Sequence, residues 1–190
     1  DNHILKYLDD DGTPVEPLFY APIIPMILVN GSKGIGTGFS TDIMCYNPLD
    51  IIDYLKCKLR GEAFMQDFIP FYDGFKGRIE KVAEHKFLIK GVYEKVGPDK
   101  IRVTELPVGY WTQDFKELME TLMEPVVAKD GKKSPALVKD CRHNSNDTVV
   151  DVTVDFPKGA LDELEATMYE NGCNGVEKLL KLFTSASSTN

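Results

Sequence analysis

The segment best suited to chemistry is a glycine-rich stretch that follows a short apolar run. Four glycines fall between Gly31 and Gly38, and they surround one aliphatic side chain, Ile35, and one cation, Lys33. Glycine lets the backbone approach a ligand closely. An exposed aliphatic side chain can then wedge between DNA bases while a nearby cation and backbone amides hold phosphate. A core position for Ile35 explains the same residues equally well.

A nucleotide-binding loop is another interpretation of this stretch. Tyr54 and Lys58 have the spacing of the catalytic pair of short-chain dehydrogenases. A dinucleotide loop, however, must run directly into the helix that binds the pyrophosphate. No helix signal appears here before Asn47, and the Tyr and Lys pair follows the loop too soon. We therefore do not favour an NAD(P)-dependent oxidoreductase.

The remaining chemistry-bearing residues form no convincing site. Cys141 and His143 are too few for zinc, which takes four clustered ligands. The aspartates of residues 9–12 lack the later ligands of a calcium loop and indicate a solvated turn. Each tyrosine lies in an apolar or turn context that is typical of a packed phenol. We predict no catalytic residue and no metal ligand in this sequence.

Composition limits the classes of protein to which the chain can belong. Its 190 residues are 43% apolar and 27% charged, which is typical of a globular protein and excludes a disordered tail or a coiled coil. The net charge of −8 requires any nucleic-acid site to be local. Four cysteines without a CxxC pair indicate reduced thiols and an intracellular protein. The longest uncharged stretch contains Pro22 and Pro25 and is too short to span a membrane.

One helix carries a complete set of start and stop signals. Asn47 is a helix cap, Pro48 suits the first helical position, and Gly61 ends the helix. Its predicted buried stripe consists of Leu49, Ile52, Leu55 and Leu59.

Other elements follow from apolar patterning. We predict strands at 26–29, 78–82, 87–91, 101–106 and 150–156, and a helix at 113–124 capped by Thr112. Two short helices follow, the first carrying Leu161, Leu164 and Met168 and the second carrying Val176, Leu179, Leu180 and Phe183. Residues 129–133 are predicted to be a polar loop, and the last seven residues contain no cap or core residue. The mixed order of strands and helices predicts an α+β fold, a mixed sheet with flanking helices.

Several motifs together resemble the breakage–reunion region of eukaryotic-type (type IIA) DNA topoisomerase II. They are EP at 16–17, Tyr20, PIIPMILVNG at 22–31, GIGTG at 34–38, Ser40, FKG at 75–77, TELPV at 104–108, WTQ at 111–113, FKE at 115–117 and the chain from 181 to 190. The resemblance covers essentially the whole chain. Met44, Phe39 and the pair Gly109-Tyr110 depart from the family pattern, which points to a divergent member of protist or viral origin.

The resemblance implies that this chain contains two parts of a larger enzyme and that the catalytic groups lie elsewhere in that enzyme. Residues 1–20 would be the tail of a winged-helix domain, and residues 21–190 most of the tower (shoulder) domain. The parent would be a homodimer that uses ATP and Mg²⁺ to pass one duplex through a double-strand break in another, in the nucleus or at a viral replication site. Its catalytic tyrosine, metal-binding acids and ATPase would precede residue 1, so this segment would bind neither cofactor.

The same resemblance assigns DNA contacts within the glycine-rich segment. Ile35 matches the isoleucine that intercalates into the gate duplex. The DNA-binding residues would be Asn30, Lys33, Gly34, Gly36 and Thr37. A stand-alone DNA-bending module is the alternative function.

For four residues outside this segment, a purely structural role is weighed against a role in DNA binding. Lys76, Arg78 and Lys90 would lie either on the DNA-facing side of the tower or on a solvated strand face. Trp111 is predicted to anchor its helix in the core rather than to stack on a base.

Overall fold

The computed structural model describes residues 3–127 and 133–188 and has the predicted α+β class. The described chain forms two compact units that meet in sequence between Phe71 and Tyr72. The predicted domain boundary after residue 20 is a separate matter and remains a prediction. The elements of the first unit are β1 (Tyr7–Asp10), β2 (Thr13–Pro17), α1 (Met26–Asn30), β3 (Ser32–Gly36), β4 (Phe39–Ile43) and α2 (Pro48–Arg60).

The predicted turn among the first residues is confirmed as the tip of a hairpin. Strands β1 and β2 pair antiparallel, and Asp11 and Gly12 both adopt positive φ angles, 50° and 84°. The Asp9 carboxylate accepts a hydrogen bond from Gly12 N at 2.7 Å. The Asp9 side chain therefore stabilises the turn, which agrees with the predicted structural role of these aspartates.

The predicted buried strand at 26–29 is wrong, because these residues form helix α1. Pro25 stands immediately before the helix, and Gly31 ends it with φ 68°. Met26 and Ile27 are exposed. A short apolar run cannot distinguish a strand from a helix by its periodicity. Here the flanking proline and glycine determine the outcome.

Helix α2 begins and ends as predicted, but its buried stripe is rotated. Asn47 Oδ1 accepts a hydrogen bond from Leu49 N at 2.9 Å, and Gly61 closes the helix in the left-handed conformation. Leu49 and Leu59 are 65% and 89% exposed, whereas Ile51 is only 1% exposed. The rotation of the buried stripe is explained by the aromatic segment that follows the helix.

The connector after α2 packs aromatic rings against one side of that helix. The Tyr54 ring lies 5.4 Å from the rings of Phe64 and Phe68, both edge-on, and Tyr46 contacts Phe68 at 5.9 Å. These rings turn the Ile51 and Tyr54 side of α2 inward. Because the two outer leucines lie on other faces, the packing leaves them in solvent.

The second unit contains the main hydrophobic core. Its elements are β5 (Arg78–Ala83), β6 (Lys86–Lys90), β7 (Val92–Gly97), β8 (Lys100–Glu105), α3 (Thr112–Met123), β9 (Val126–Val127), β10 (Lys133–Ser134), β11 (Asp140–His143), β12 (Val152–Asp155), α4 (Ala160–Ala166), α5 (Gly175–Leu179) and β13 (Phe183–Ser187). The strand orders are β11-β12-β8-β7 and β13-β6-β5, with β9 and β10 forming a separate pair. All these pairs are antiparallel.

Side chains from β8, β12 and the three helices form that core. The alternation predicted around residues 150–156 is confirmed, since Val152 and Val154 are buried on the inner face of β12. They pack with Ile101 and Val103 of β8 and with Phe115 of α3. The sheet thus buries one face and leaves the other to solvent, as period-two alternation requires.

Three predictions at the edges of this unit are wrong. Thr112 is the first residue of α3 rather than its cap, and its side chain makes no capping bond. Trp111 is 73% exposed and so is not a core anchor. Phe183, predicted to lie on the second short helix, instead begins strand β13 (residues 183–187), because β6 offers these residues an open edge to pair with. The predicted polar loop at 129–133 falls mostly on residues 128–132, outside the described residues.

The two short predicted helices are present as α4 and α5, with different ends. Met168 lies beyond the end of α4 and is 64% exposed, and Phe183 belongs to β13. Asn174 and Glu177 form a reciprocal capping box at the start of α5. No helix in the described part of the chain combines the length and apolar character needed to cross a membrane.

Candidate nucleic-acid interface

The glycine-rich segment forms a two-stranded ribbon rather than a loop. Among the described residues, strands β3 and β4 pair only with each other, with Ile35 opposite Ser40 and Gly36 opposite Phe39. Thr37 and Gly38 make the turn, and Gly38 has φ 82°, a conformation that favours glycine. This segment therefore does not have the strand, loop and helix arrangement that binds a dinucleotide, and an NAD(P)-dependent oxidoreductase is not favoured.

Gly31 determines where the ribbon starts. Its φ is 68°, and a Cβ at this position would lie 2.6 Å from the Ile43 carbonyl oxygen and 3.0 Å from Cys45 Sγ. The Cys45 thiol also donates to the Asn30 carbonyl oxygen at 3.2 Å. Glycine is thus required here by both conformation and space.

Ile35 is exposed near the tip of the ribbon. Its side chain is 89% exposed, which excludes a core position within the described residues. The flanking positions Gly34 and Gly36 carry no side chain that could shield it. The ribbon therefore presents a single aliphatic group to whatever approaches this face.

The structure gathers most of the predicted DNA-binding residues on the ribbon. Lys33, Gly34 and Gly36 lie on β3, and Thr37 lies in the turn. Asn30 is separate, since it is the last residue of α1 and precedes the ribbon.

Lys33 has a carboxylate partner that the sequence did not reveal. Its Nζ lies 3.5 Å from Asp42 Oδ2, and the two residues are directly opposite in the ribbon. Asp42 is thus a second charge near Ile35, of opposite sign to Lys33. Alternation across a two-residue turn was the signal that could have placed Asp42 on this face.

The three basic residues of the second unit that the sequence analysis singled out differ in their exposure to solvent. Lys76, Arg78 and Lys90 line one cleft of about 420 Å³. Lys90 Nζ donates to the Gly172 carbonyl oxygen at 2.8 Å and lies 3.5 Å from Glu177 Oε2. Lys90 is therefore an internal ion-pair partner, and a solvated strand face does not describe it. Arg78 remains largely exposed.

Two potential nucleophiles, Tyr110 and Cys141, have pKa values shifted away from activation. Burial raises the pKa of Tyr110 to about 12, with Asp114 adding to the effect. Burial and the neighbouring Asp140 likewise raise the pKa of the Cys141 thiol to about 11. A nucleophile needs the opposite shift. Within residues 3–127 and 133–188, no three His, Cys, Asp or Glu residues gather as a metal site.

The family model for the A-type subunit of DNA gyrase/topoisomerase IV matches residues 1–186. DNA topoisomerase 2 of Pisum sativum is 38% identical over the whole chain, and that of Bombyx mori is 40% identical, also over the whole chain. The chain spans 12% and 11% of the length of these two relatives.

A solved structure agrees with these relatives. The crystal structure of the Plasmodium falciparum topoisomerase II DNA-binding, cleavage and re-ligation domain matches with a TM-score of 0.75 and 37% identity. The match covers all of this chain and 24% of that one. Its quoted relatives are eukaryotic DNA topoisomerase 2 proteins. Because the family model matches almost the whole chain, this chain belongs to the family of the DNA gyrase/topoisomerase IV A-type subunits.

Proposed function

We propose that this chain is the segment of an ATP-dependent type II DNA topoisomerase that binds and bends the gate duplex. The observation that supports the proposal most is the position of Ile35, an aliphatic side chain fully presented on a glycine-flanked ribbon. An apolar group of this kind can enter between two base pairs and unstack them. The similarity to a DNA-binding, cleavage and re-ligation domain supports the same proposal.

Each residue of the ribbon has a physical role in this proposal. Ile35 is the wedge, while Lys33 and the Thr37 hydroxyl contact phosphate close to it. Gly34 and Gly36 would contact the duplex through their backbone groups, on either side of Ile35. Asn30 would contact the DNA from the end of α1.

The wedge lowers the work of bending the duplex. Bending 20–30 base pairs sharply costs on the order of 1–6 kcal/mol by elastic estimates. Unstacking a single step concentrates the deformation at one kink. A kink at a fixed place would help present the scissile phosphates to catalytic groups elsewhere in the parent enzyme.

The proposal extends to the parent enzyme. We place the catalytic tyrosine, the ATP and Mg²⁺ sites and the dimer contacts outside this segment, and the enzyme inside the cell, in the nucleus or at a viral replication site. The described residues gather no acidic cluster that fits Mg²⁺, so no step of the proposal runs through a metal held here. A stand-alone bending module is not favoured, since both quoted relatives are far longer proteins.

The test is DNA bending by the complete protein that contains this segment. A duplex labelled at both ends would report bending by fluorescence transfer for the unaltered protein, for Ile35→Ala and for Leu59→Ala. Leu59 is a matched control because it is also 89% exposed and lies in the same unit. We expect Ile35→Ala alone to reduce bending and cleavage while the fold is unchanged. Unaltered bending by Ile35→Ala would remove Ile35 from the mechanism.

A further inference from the structure

The two faces of the ribbon differ in chemical character. Because side chains alternate along each strand and paired residues share a face, the register sorts the ribbon into two sets. The face that carries Ile35 also carries both charges and a hydroxyl, and its members are Lys33, Ile35, Ser40 and Asp42. The opposite face carries no charge, and its members are Ser32, Gly34, Gly36, Phe39, Thr41 and Ile43. We call this second set the uncharged face.

Phe39 projects from the uncharged face into open space. Its side chain is 84% exposed, although it is the largest apolar group on the ribbon. Its opposite neighbour is Gly36, and Gly34 lies diagonally across. The aromatic ring therefore stands beside a flat strip of backbone.

Nothing within the described residues requires glycine at these two positions. Neither Gly34 nor Gly36 has a positive φ angle. A Cβ at Gly34 would meet no atom within 4 Å, and at Gly36 the nearest atom would be the Phe39 carbonyl oxygen at 3.7 Å. Gly31, by contrast, is required by its own surroundings. The flat strip is thus available to a surface from outside this segment.

The chemistry of the uncharged face favours protein over DNA as its occupant. DNA brings phosphates, which need cations or well-placed donors, and the ribbon's cation lies on the other face. Toward the base of the ribbon, Thr41 and Ile43 on the uncharged face are already half-buried. The face therefore continues into packed protein at one end and ends at Phe39 at the other.

We propose that the uncharged face docks on an apolar surface supplied by another part of the parent chain, with Phe39 as its anchor. The quoted relatives are several times longer than this segment, so ample chain is available to provide that surface. A ribbon of two strands is only marginally stable by itself. Docking would hold it rigid and fix the direction of Ile35, which makes Phe39 a positioning residue. This last step rests on the proposed function, whereas the docking does not.

The docking is tested by site-specific photocrosslinking in the complete protein. The photoreactive amino acid p-benzoylphenylalanine would be introduced at position 39, at position 35 and, as a background control, at position 59. We expect position 39 to crosslink within its own chain, to a peptide outside residues 1–190, whether or not a duplex is present. Position 35 should crosslink to DNA.

Each other result has a definite meaning. Crosslinks from position 39 to DNA, to residues 1–190 or to a second copy of the chain would overturn the docking, as would a yield no greater than that of position 59. If position 39 crosslinks as expected and position 35 yields no DNA adduct, the wedge function fails and the docking stands.

The positioning role needs a separate measurement on the same protein. Phe39→Ala should lower the equilibrium constant for DNA bending about tenfold, as loss of one interface anchor does. Phe39→Trp keeps a large aromatic ring and should restore most of the bending. Equal bending by Phe39→Ala and the unaltered protein would show that the docked ring does not position Ile35.

Discussion

Lys33 Nζ lies 3.5 Å from Asp42 Oδ2 across the ribbon, on the face that also carries Ile35. Both side chains are well exposed, so the ion pair adds little to the stability of the fold. Its effect is local, because the carboxylate cancels the one cation beside the proposed wedge. A phosphate that approaches this face meets a negative charge as well as a positive one.

Asp42→Asn should therefore strengthen binding of duplex DNA by the complete protein. We expect a gain of about two- to tenfold at low salt that shrinks as salt is added, because screening weakens exposed charges. Fluorescence anisotropy titrations at several salt concentrations would measure it. Asp53→Asn is the control, since Asp53 is an exposed carboxylate on α2 of the same unit. Equal gains from both variants would show that Asp42 acts only through net charge.

Gly31→Ala should destabilise the chain, whereas Gly34→Ala should not. Alanine at position 31 must adopt φ 68° and would place its Cβ 2.6 Å from the Ile43 carbonyl oxygen. Such strain costs on the order of 1–3 kcal/mol or more. Position 34 has open space, and its effect should stay within about 0.5 kcal/mol. Urea denaturation of both variants checks this, and equal stabilities would contradict the described ribbon geometry.

Phe115→Ala should be much more damaging than Trp111→Ala. Phe115 is 1% exposed in the core of the second unit, and truncating a buried phenylalanine costs about 3–5 kcal/mol. Trp111 is largely exposed, so its truncation should change the free energy of unfolding by only about 0.5 kcal/mol. Thermal denaturation would separate the two. A large loss from Trp111→Ala would restore its predicted role as a core anchor.

The ion pair between Arg102 and Asp151 should add stability that depends on pH. Arg102 Nε and Nη2 donate to the two Asp151 carboxylate oxygens at 2.8 and 2.9 Å, and this lowers the pKa of Asp151 below its ordinary value of 3.8. A lowered pKa contributes stability that is present above pH 3.8 and lost as the pH falls through the shifted value.

Asp151→Asn provides the comparison. We expect the variant to be less stable than the unaltered chain at neutral pH. The difference should shrink in acid, where the native carboxylate becomes protonated. Urea denaturation across this pH range would measure both chains. A difference that stays constant with pH would mean that the contribution is not ionic.

Elements that carry their own local signals were predictable from the sequence. Asn47, Pro48 and Gly61 mark the ends of α2 through hydrogen bonds and backbone angles that involve only neighbouring residues. Alternation likewise revealed β12, because one of its faces is buried and the other is not. Local chemistry of this kind can be recognised without knowing the rest of the fold.

Elements that depend on distant partners were not predictable. Strand β13 has no distinctive sequence pattern and exists because it pairs with β6, far away in the chain. The rotated stripe of α2 depends on the rings that Phe64 and Phe68 contribute after the helix has ended. At the candidate site, the glycines and Ile35 could be recognised from the sequence. The positions of Asp42 opposite Lys33 and of Phe39 opposite Gly36 became apparent only from the register of the ribbon.

The pairing of β13 with β6 also bears on how the chain is made. A ribosome delivers residues 86–90 long before residues 183–187, so β6 must wait with one edge unpaired while most of the second unit is synthesised. During this interval Phe87, Leu88 and Ile89 have not yet reached their buried state. The nascent chain therefore passes through a stage at which an unpaired strand edge can pair with wrong partners, and the pairing of β13 with β6 ends this exposure.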